Sequence, residues 1–179
     1  MKTRRSHYEM AFEAYLDQRG TPYVMIEDVR HFVKGRLGAK AFDYIVYPPG
    51  RRPCLVDVKG RKINAAPSEP DARSKNWVTR GDLEGLRAWQ EVFGPEYEAM
   101  FVFGFWLAGG RGLEAQQPSL FGPVTSLAGR IYSFWRVNLT DYARLSKLLS
   151  RRWDTLTIPT EDFRRLSERI DQAWPAAPC

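Results

Sequence analysis

Two aspartates and a lysine stand out for the chemistry that their spacing allows. In Cys54-Leu55-Val56-Asp57-Val58-Lys59, strand alternation sets Leu55, Asp57 and Lys59 on one face and Cys54, Val56 and Val58 on the other. A second β-rich run, Phe42 to Tyr47, precedes it, and Pro48-Pro49-Gly50-Arg51-Arg52-Pro53 between them reads as a hairpin connection. Pairing centred on Gly50 brings Asp43 opposite Asp57. Directly opposed residues have Cβ atoms about 4.5–5.5 Å apart, and like charges there destabilise the pair. A divalent cation compensates, because two carboxylates at that separation can share one Mg²⁺, a hard ion that takes oxygen ligands and keeps several waters. Lys59 would then stand beside a metal-bound water, where an ammonium orients it or offsets developing negative charge. The competing reading is a hairpin whose surface charges cancel across strands, and the apolar flanks Phe42, Tyr44, Leu55 and Val56 argue against it.

These residues need elements to hold them. Tyr8, Phe12, Tyr15 and Leu16 share one side of a helix expected from about Ser6 to Gln18, with Gly20 ending it. Tyr23 to Ile26 reads as a strand, and Val29 to Lys40 as a basic linker. Lys62 to Lys75 reads as an exposed loop. Asp82 to Phe93 reads as a helix stopped by Gly94-Pro95. Met100 to Leu107 is apolar without alternation, the pattern of a strand covered on both faces. Gly109 to Gly129, with five glycines and two prolines, reads as a flexible loop. Beyond it, Ile131 to Val137 reads as a strand, Thr140 as the cap of a helix through Leu149, and Trp153 to Ile158 as a strand. Thr160 reads as the cap of a last helix striped by Phe163, Leu166 and Ile170. The expected architecture is a single α/β (α+β) domain around one mixed sheet. Its core spans about residues 6–107, a loop about 108–130, and a strand-helix-strand-helix elaboration about 131–174.

The chain has 179 residues, 44% hydrophobic and 27% charged, which disfavours disordered, collagen-like and disulfide-scaffold classes. Its 27 basic and 21 acidic residues leave +6, shared equally between the parts before and after Leu107, and an excess of that sign invites a polyanionic partner. Twenty of the basic residues are Arg, which an Arg-leaning genome could also produce. Cys54 and Cys179 give neither a disulfide framework nor a metal-knuckle spacing. The N-terminus lacks the apolar stretch of a signal peptide, and the longest apolar run, Ala99 to Gly109, is about half of what a membrane-spanning helix needs. The expectation is a soluble protein of a reducing cytoplasm.

The order of a helix bearing Glu9, then Asp43 in Phe42-Asp43-Tyr44, then Asp57-Val58-Lys59, then a helix and a strand resembles the PD-(D/E)xK nuclease superfamily. That superfamily includes restriction endonucleases and archaeal-type Holliday junction resolvases. The resolvase-like branch is also similar in the step from the helical Glu to the glycine closing that helix, here Glu9 to Gly20. The similarity covers about Ser6 to Leu107, and Phe42 stands where the namesake motif often has Pro. The resemblance implies a restriction-endonuclease-like core, a central mixed sheet flanked by helices, and Mg²⁺-dependent phosphodiester hydrolysis with Mn²⁺ as substitute. It implies that Asp43 and Asp57 hold the metal, that the Val58 carbonyl completes its shell and that Lys59 positions the attacking water. Glu9 would assist through a water or a second metal, and the products would be 5′-phosphate and 3′-hydroxyl ends.

Glu9 has a second reading, because Ser6-His7-Tyr8-Glu9 is a capping box; Glu13 is its substitute as the helical acid. Gln90 stands in an apolar stripe with Leu83, Leu86 and Phe93. It resembles the helical Gln or Lys that some superfamily members set beside the metal, and a core amide bonded to backbone is the alternative. Arg51, Arg52, Arg61, Lys62 and Arg80, with Arg73 and Lys75, are the expected phosphate-gripping groups. Trp77 reads as a core residue or as a platform for an unpaired base, and His7 and His31 as surface residues. The leading reading is a Mg²⁺-dependent DNA endonuclease, acting on double-stranded or branched DNA as a homodimer. The alternatives are a catalytically inactive nucleic-acid-binding module of the same fold and a protein-interaction domain.

Overall fold

The computed structural model describes residues 5–26, 40–64, 72–108 and 124–174. The expected linker at 29–40 and the loop at 109–129 lie largely outside them, as do residues 65–71 of the loop expected at 62–75, His31 and Cys179, while Lys62 and Ile63 belong to a strand. Helix α1 (His7–Gln18) starts on Ser6, whose hydroxyl accepts from the Glu9 N–H, and buries Ala11, Phe12, Tyr15 and Leu16. Strands β1 (Tyr23–Met25), β2 (Tyr44–Val46) and β3 (Cys54–Ile63) follow, then the two-residue β4 (Val78–Thr79), helix α2 (Arg80–Phe93) and β5 (Glu98–Leu107). The remainder comprises β6 (Thr125–Leu127), β7 (Arg130–Asn138), α3 (Leu139–Leu145), β8 (Lys147–Ser150), β9 (Thr155–Thr157), α4 (Thr160–Leu166), β10 (Glu168–Arg169) and α5 (Ile170–Ala173).

The main sheet runs β1-β2-β3-β5-β7-β10, with β6 also paired to β7. β3 and β5 are parallel along ten residues, from Cys54 against Glu98 to Ile63 against Leu107. The β1–β2, β2–β3, β5–β7, β6–β7 and β7–β10 pairs are antiparallel. This is the mixed sheet flanked by helices that the sequence led us to expect. One face carries Ile45, Leu55, Phe101 and Phe103 beneath Leu83, Leu86 and Trp89 of α2. The other carries Tyr44, Val56, Val58 and Val102 beneath Ala11, Phe12 and Leu16 of α1. Coverage on both sides explains why β5 reads as an unbroken apolar run. β4, β9 and β8 form a separate three-stranded sheet. Among the described residues no helix is long and apolar enough to cross a membrane.

Several boundaries differ from expectation. β3 continues four residues past Lys59 because β5 pairs with it throughout. Helix α3 is capped by Asn138, whose Oδ1 accepts from the Thr140 N–H at 2.8 Å, and not by Thr140. It stops at Leu145 because Lys147 and Leu148 pair with β9. Trp153 lies in the turn before β9. Thr160 is the first residue of α4 and not its cap, and the expected last helix is broken at Ser167, where Glu168 and Arg169 pair with β7.

Two glycines bring backbone and helix into close approach. A Cβ on Gly60 of β3 would lie 2.1 Å from the Tyr8 ring of α1, and one on Gly85 of α2 would lie 2.6 Å from the Lys40 carbonyl oxygen. Asp82, Gly85 and Trp89 form one stripe of α2, and each meets residue 40: Trp89 Nε1 donates to its carbonyl at 3.2 Å. Gly85→Ala is therefore expected to destabilise the protein by about 1–3 kcal/mol through overpacking, although Ala is the better helix former by about 1 kcal/mol. A lowered denaturant midpoint at unchanged m-value is the check; a raised midpoint would mean that the segment at residue 40 yields freely.

Candidate active site

The β2–β3 register pairs Tyr44 with Val56 and Val46 with Cys54, and Asp43 lies in the bend just before this ladder. The Asp43 N–H donates to the Val56 carbonyl at 2.9 Å, and its side-chain Oδ2 accepts from the Val58 N–H at 2.7 Å. Asp43 thus turns its carboxylate across the hairpin toward the Asp57-Val58-Lys59 segment. Asp57 and Lys59 share the α2 face with Leu55, as alternation required. Asp57 is 5% exposed, and the Lys59 ammonium lies 2.8 Å from its Oδ1.

A third carboxylate completes the cluster. Asp82 Oδ1 stands 3.1 Å from the Lys59 ammonium and also pairs with Lys40. It belongs to a capping box at the start of α2: its Oδ2 accepts from the Thr79 N–H at 2.8 Å while its own N–H donates to Thr79 Oγ1 at 3.1 Å. Asp82 and Lys40 were missed in the sequence. Thr79-Arg80-Gly81-Asp82 carries the signature of a cap, but nothing local connects it to Lys59, and Lys40 lay in what reads as a linker.

The charges are unevenly balanced. If all ionised, Asp43, Asp57 and Asp82 carry three negative charges against two positive charges on Lys40 and Lys59. Burial, then the charge of Asp57, pushes the Asp43 carboxyl up to about 8, against the opposing pull of the Val58 N–H and Lys59. Burial likewise raises Asp57. Burial also raises Asp82, but Lys59, Lys40 and Thr79 outweigh it and hold this carboxyl well below the usual range. Lys59 is pulled down by burial and up more strongly by Asp57 and Asp82, so it stays above its ordinary value. The cluster is short of positive charge on the Asp43 side, where an added cation would relieve it. Among the described residues no three His, Cys, Asp or Glu side chains gather into a metal cage. A cation at Asp43 and Asp57 would therefore draw the rest of its shell from water and substrate oxygens, the usual habit of Mg²⁺.

Other expected residues lie elsewhere. Glu9 does not join the aspartates: its helix covers the opposite face, its Oε1 accepts from Ser6 Oγ at 2.7 Å, and it reaches Asp43 only as a charge that raises it. The Ser6 cap is formed, with the Glu9 carboxylate on the Ser6 hydroxyl. Glu13 accepts from Arg5 and, at 2.8 Å, from the Tyr44 hydroxyl. Gln90 is the core amide of its second reading: Nε2 donates to the Gly94 and Tyr97 carbonyls at 2.8 and 2.9 Å, and Oε1 accepts from the Ala99 N–H at 2.7 Å. It fastens the end of α2 to the start of β5.

Arg61 also needs correction as a phosphate-gripping group. It is 8% exposed and donates to the carbonyls of Lys75, Gly60 and Trp77. Its guanidinium lies 3.8 Å above the Trp77 ring, and burial lowers its pKa to about 10. Trp77, 40% exposed, is not the core tryptophan of its first reading. Arg51, Arg52 and Lys62 are exposed, with Arg52 donating to the Pro95 carbonyl at 3.0 Å and Lys62 5.0 Å from the Trp106 ring centre. Arg80 pairs with Asp154 at 3.0 Å. His7 shares a 2.8 Å hydrogen bond with the Tyr132 hydroxyl.

The chain matches no protein-family model and no curated protein. Among solved structures it is similar to Hjc, a Holliday junction resolvase from the archaeal hyperthermophile Archaeoglobus fulgidus. The likeness has 12% identity and a TM-score of 0.47, and covers 93% of this chain and 96% of that one.

Proposed function

We propose that this chain is a metal-dependent DNA endonuclease that hydrolyses phosphodiester bonds to leave 5′-phosphate and 3′-hydroxyl ends. The observation that carries the reading is the convergence of Asp43 on Asp57-Val58-Lys59, with the lysine held between two buried carboxylates. The PD-(D/E)xK resemblance of the same three side chains supports it. Asp43 and Asp57 would hold Mg²⁺ or Mn²⁺. The N–H and C=O of one strand residue point to the same side, so the Val58 carbonyl is directed toward Asp43 and suits a further ligand. When bound, such an ion polarises a phosphoryl oxygen and makes its water a better nucleophile at neutral pH. Lys59, kept charged by its two partners, orients the attacking water and offsets charge developing on the phosphoryl group. The Asp43 carboxyl holds its proton near neutrality until a cation displaces it. Gln90, bound to backbone groups, is given no step, and Glu9 adds negative charge near Asp43. Arg51, Arg52 and Lys62 are the groups offered to phosphate, and two copies of the chain would serve two strands.

The test is incubation with plasmid, branched and single-stranded DNA, with Mg²⁺, with Mn²⁺ and with EDTA. Metal-dependent cleavage that is lost in Lys59→Ala is the expected result. Equal cleavage by Lys59→Ala sinks the mechanism, and salt-sensitive DNA binding without any cleavage identifies the inactive binding module instead.

A further inference from the structure

We propose that the turn joining β8 to β9 is a nucleic-acid-binding arm, in which Trp153 stacks on an unpaired base while Arg151 and Arg152 grip the flanking phosphates. The nuclease reading supplies the identity of the polyanion, and the arm adds a preference for substrates with unpaired bases beside the cutting site. Trp153 is 68% exposed, the highest figure among the exposed large hydrophobic side chains. All four turn residues, Arg151 to Asp154, are exposed. Arg152 lies 5.1 Å from the centre of the indole ring. An aromatic face bordered by guanidinium groups is the platform on which bases of any sequence stack.

The tip is held in shape. The Trp153 N–H donates to Ser150 Oγ at 3.3 Å, and the Asp154 N–H to the Arg151 carbonyl at 3.4 Å. Asp154, with φ at 44°, is bound twice to Arg80, which donates from its backbone N–H at 2.8 Å and from Nε at 3.0 Å. The one acid of the turn therefore faces Arg80, and the outward charge is that of two arginines. Arg80 opens α2, two residues before the Asp82 that holds Lys59. The arm is thus fastened to the same helix end that walls the proposed site. A second copy meeting this tip about a two-fold axis would bring the same two positive charges against it, whereas nucleic acid offers both phosphates and aromatic faces.

The test measures binding of the full chain in EDTA to two labelled DNAs of equal length, a duplex with a single-stranded tail and a fully paired duplex. Trp153→Ala is expected to weaken binding of the tailed duplex about tenfold and to leave the paired duplex within about twofold. Trp153→Phe should restore most of the loss. Replacing Arg151 and Arg152 by Gln should weaken both complexes alike and lower the salt slope by about two. If Trp153→Ala binds both DNAs as wild type does, the arm is wrong and the nuclease reading, judged by cleavage, stands. If that variant alters sedimentation of the chain and not its preference, the turn is a contact between copies and the arm is overturned. Failure of the wild-type chain to bind either DNA overturns the arm, and cleavage in Mg²⁺ then decides the nuclease reading separately.

Discussion

Asp43→Asn is expected to make the metal-free protein more stable at pH 7 while abolishing cleavage. Burial and the nearby charge of Asp57 push the Asp43 carboxyl up to about 8, against about 3.9 for an aspartate in an unfolded chain. Between these values the folded state keeps a proton that the unfolded state has released. Stability must then fall as pH rises through this window, by about 1.4 kcal/mol per unit. At pH 7 the accumulated loss is on the order of 4 kcal/mol. Asparagine carries no ionisable proton, and its Oδ1 can still accept the Val58 N–H. The variant should melt roughly 8–16 °C above wild type at pH 7, with the gap closing as pH approaches 4 and both side chains become neutral. Melting curves of both proteins from pH 4 to 8.5 in EDTA provide the measurement, other titrating groups being common to the two. Saturating Mg²⁺ should close much of the gap, because a ligand at a hundred times its dissociation constant stabilises by about 2.7 kcal/mol and the variant has lost a ligand. An Asp43→Asn protein less stable than wild type at neutral pH would show that the two aspartates are not in conflict.

Lys59→Met should fail in two separable ways. Removing an ammonium aimed at developing charge is expected to slow cleavage about 10²–10³-fold. The same change strips Asp57 and Asp82, whose side chains are 7% and 4% exposed, of the cation lying 2.8 and 3.1 Å away. Breaking a buried pair from one side costs about 3–5 kcal/mol, because the remaining charge is left uncompensated. Lys40 still pairs with Asp82, so most of the loss falls on Asp57. The double variant Lys59→Met, Asp57→Asn should recover much of the stability, which isolates the ion-pair role of Lys59, while the activity of the single variant reports its chemical role. Denaturant unfolding and plasmid nicking on the same preparations make the comparison. Full activity in Lys59→Met rules out the assigned role, and unchanged stability rules out the double ion pair as a support of the fold.

Much of this site was readable before any coordinates. Strand alternation has a period of two, so the common face of Leu55, Asp57 and Lys59 follows from spacing alone. The Pro-Pro-Gly connection tied the hairpin centre to Gly50, and the observed pairs Tyr44–Val56 and Val46–Cys54 keep that register. The Ser6 cap, the Gly20 stop and the doubly covered β5 were equally local. Glu9 and Gln90 each had two readings in the sequence, and which one held depended on what lay within bonding distance.

What the chain's local order could not supply was the pairing of charges across elements. Asp82 reads as an ordinary cap, and only the packing of α2 on the sheet brings it to Lys59. Arg61 reads as a surface base, and only the segment at residues 75–77 covers it with carbonyl groups. Helical periodicity through Leu149 yielded to the pairing of β8 with β9, and that hairpin carried Trp153 out to the surface and tied Asp154 to α2. Periodicity and turn chemistry act between near neighbours and are therefore written into the sequence. Desolvation and ion pairing depend on which distant surfaces meet, so the neutralisation of each charge was decided by the tertiary structure.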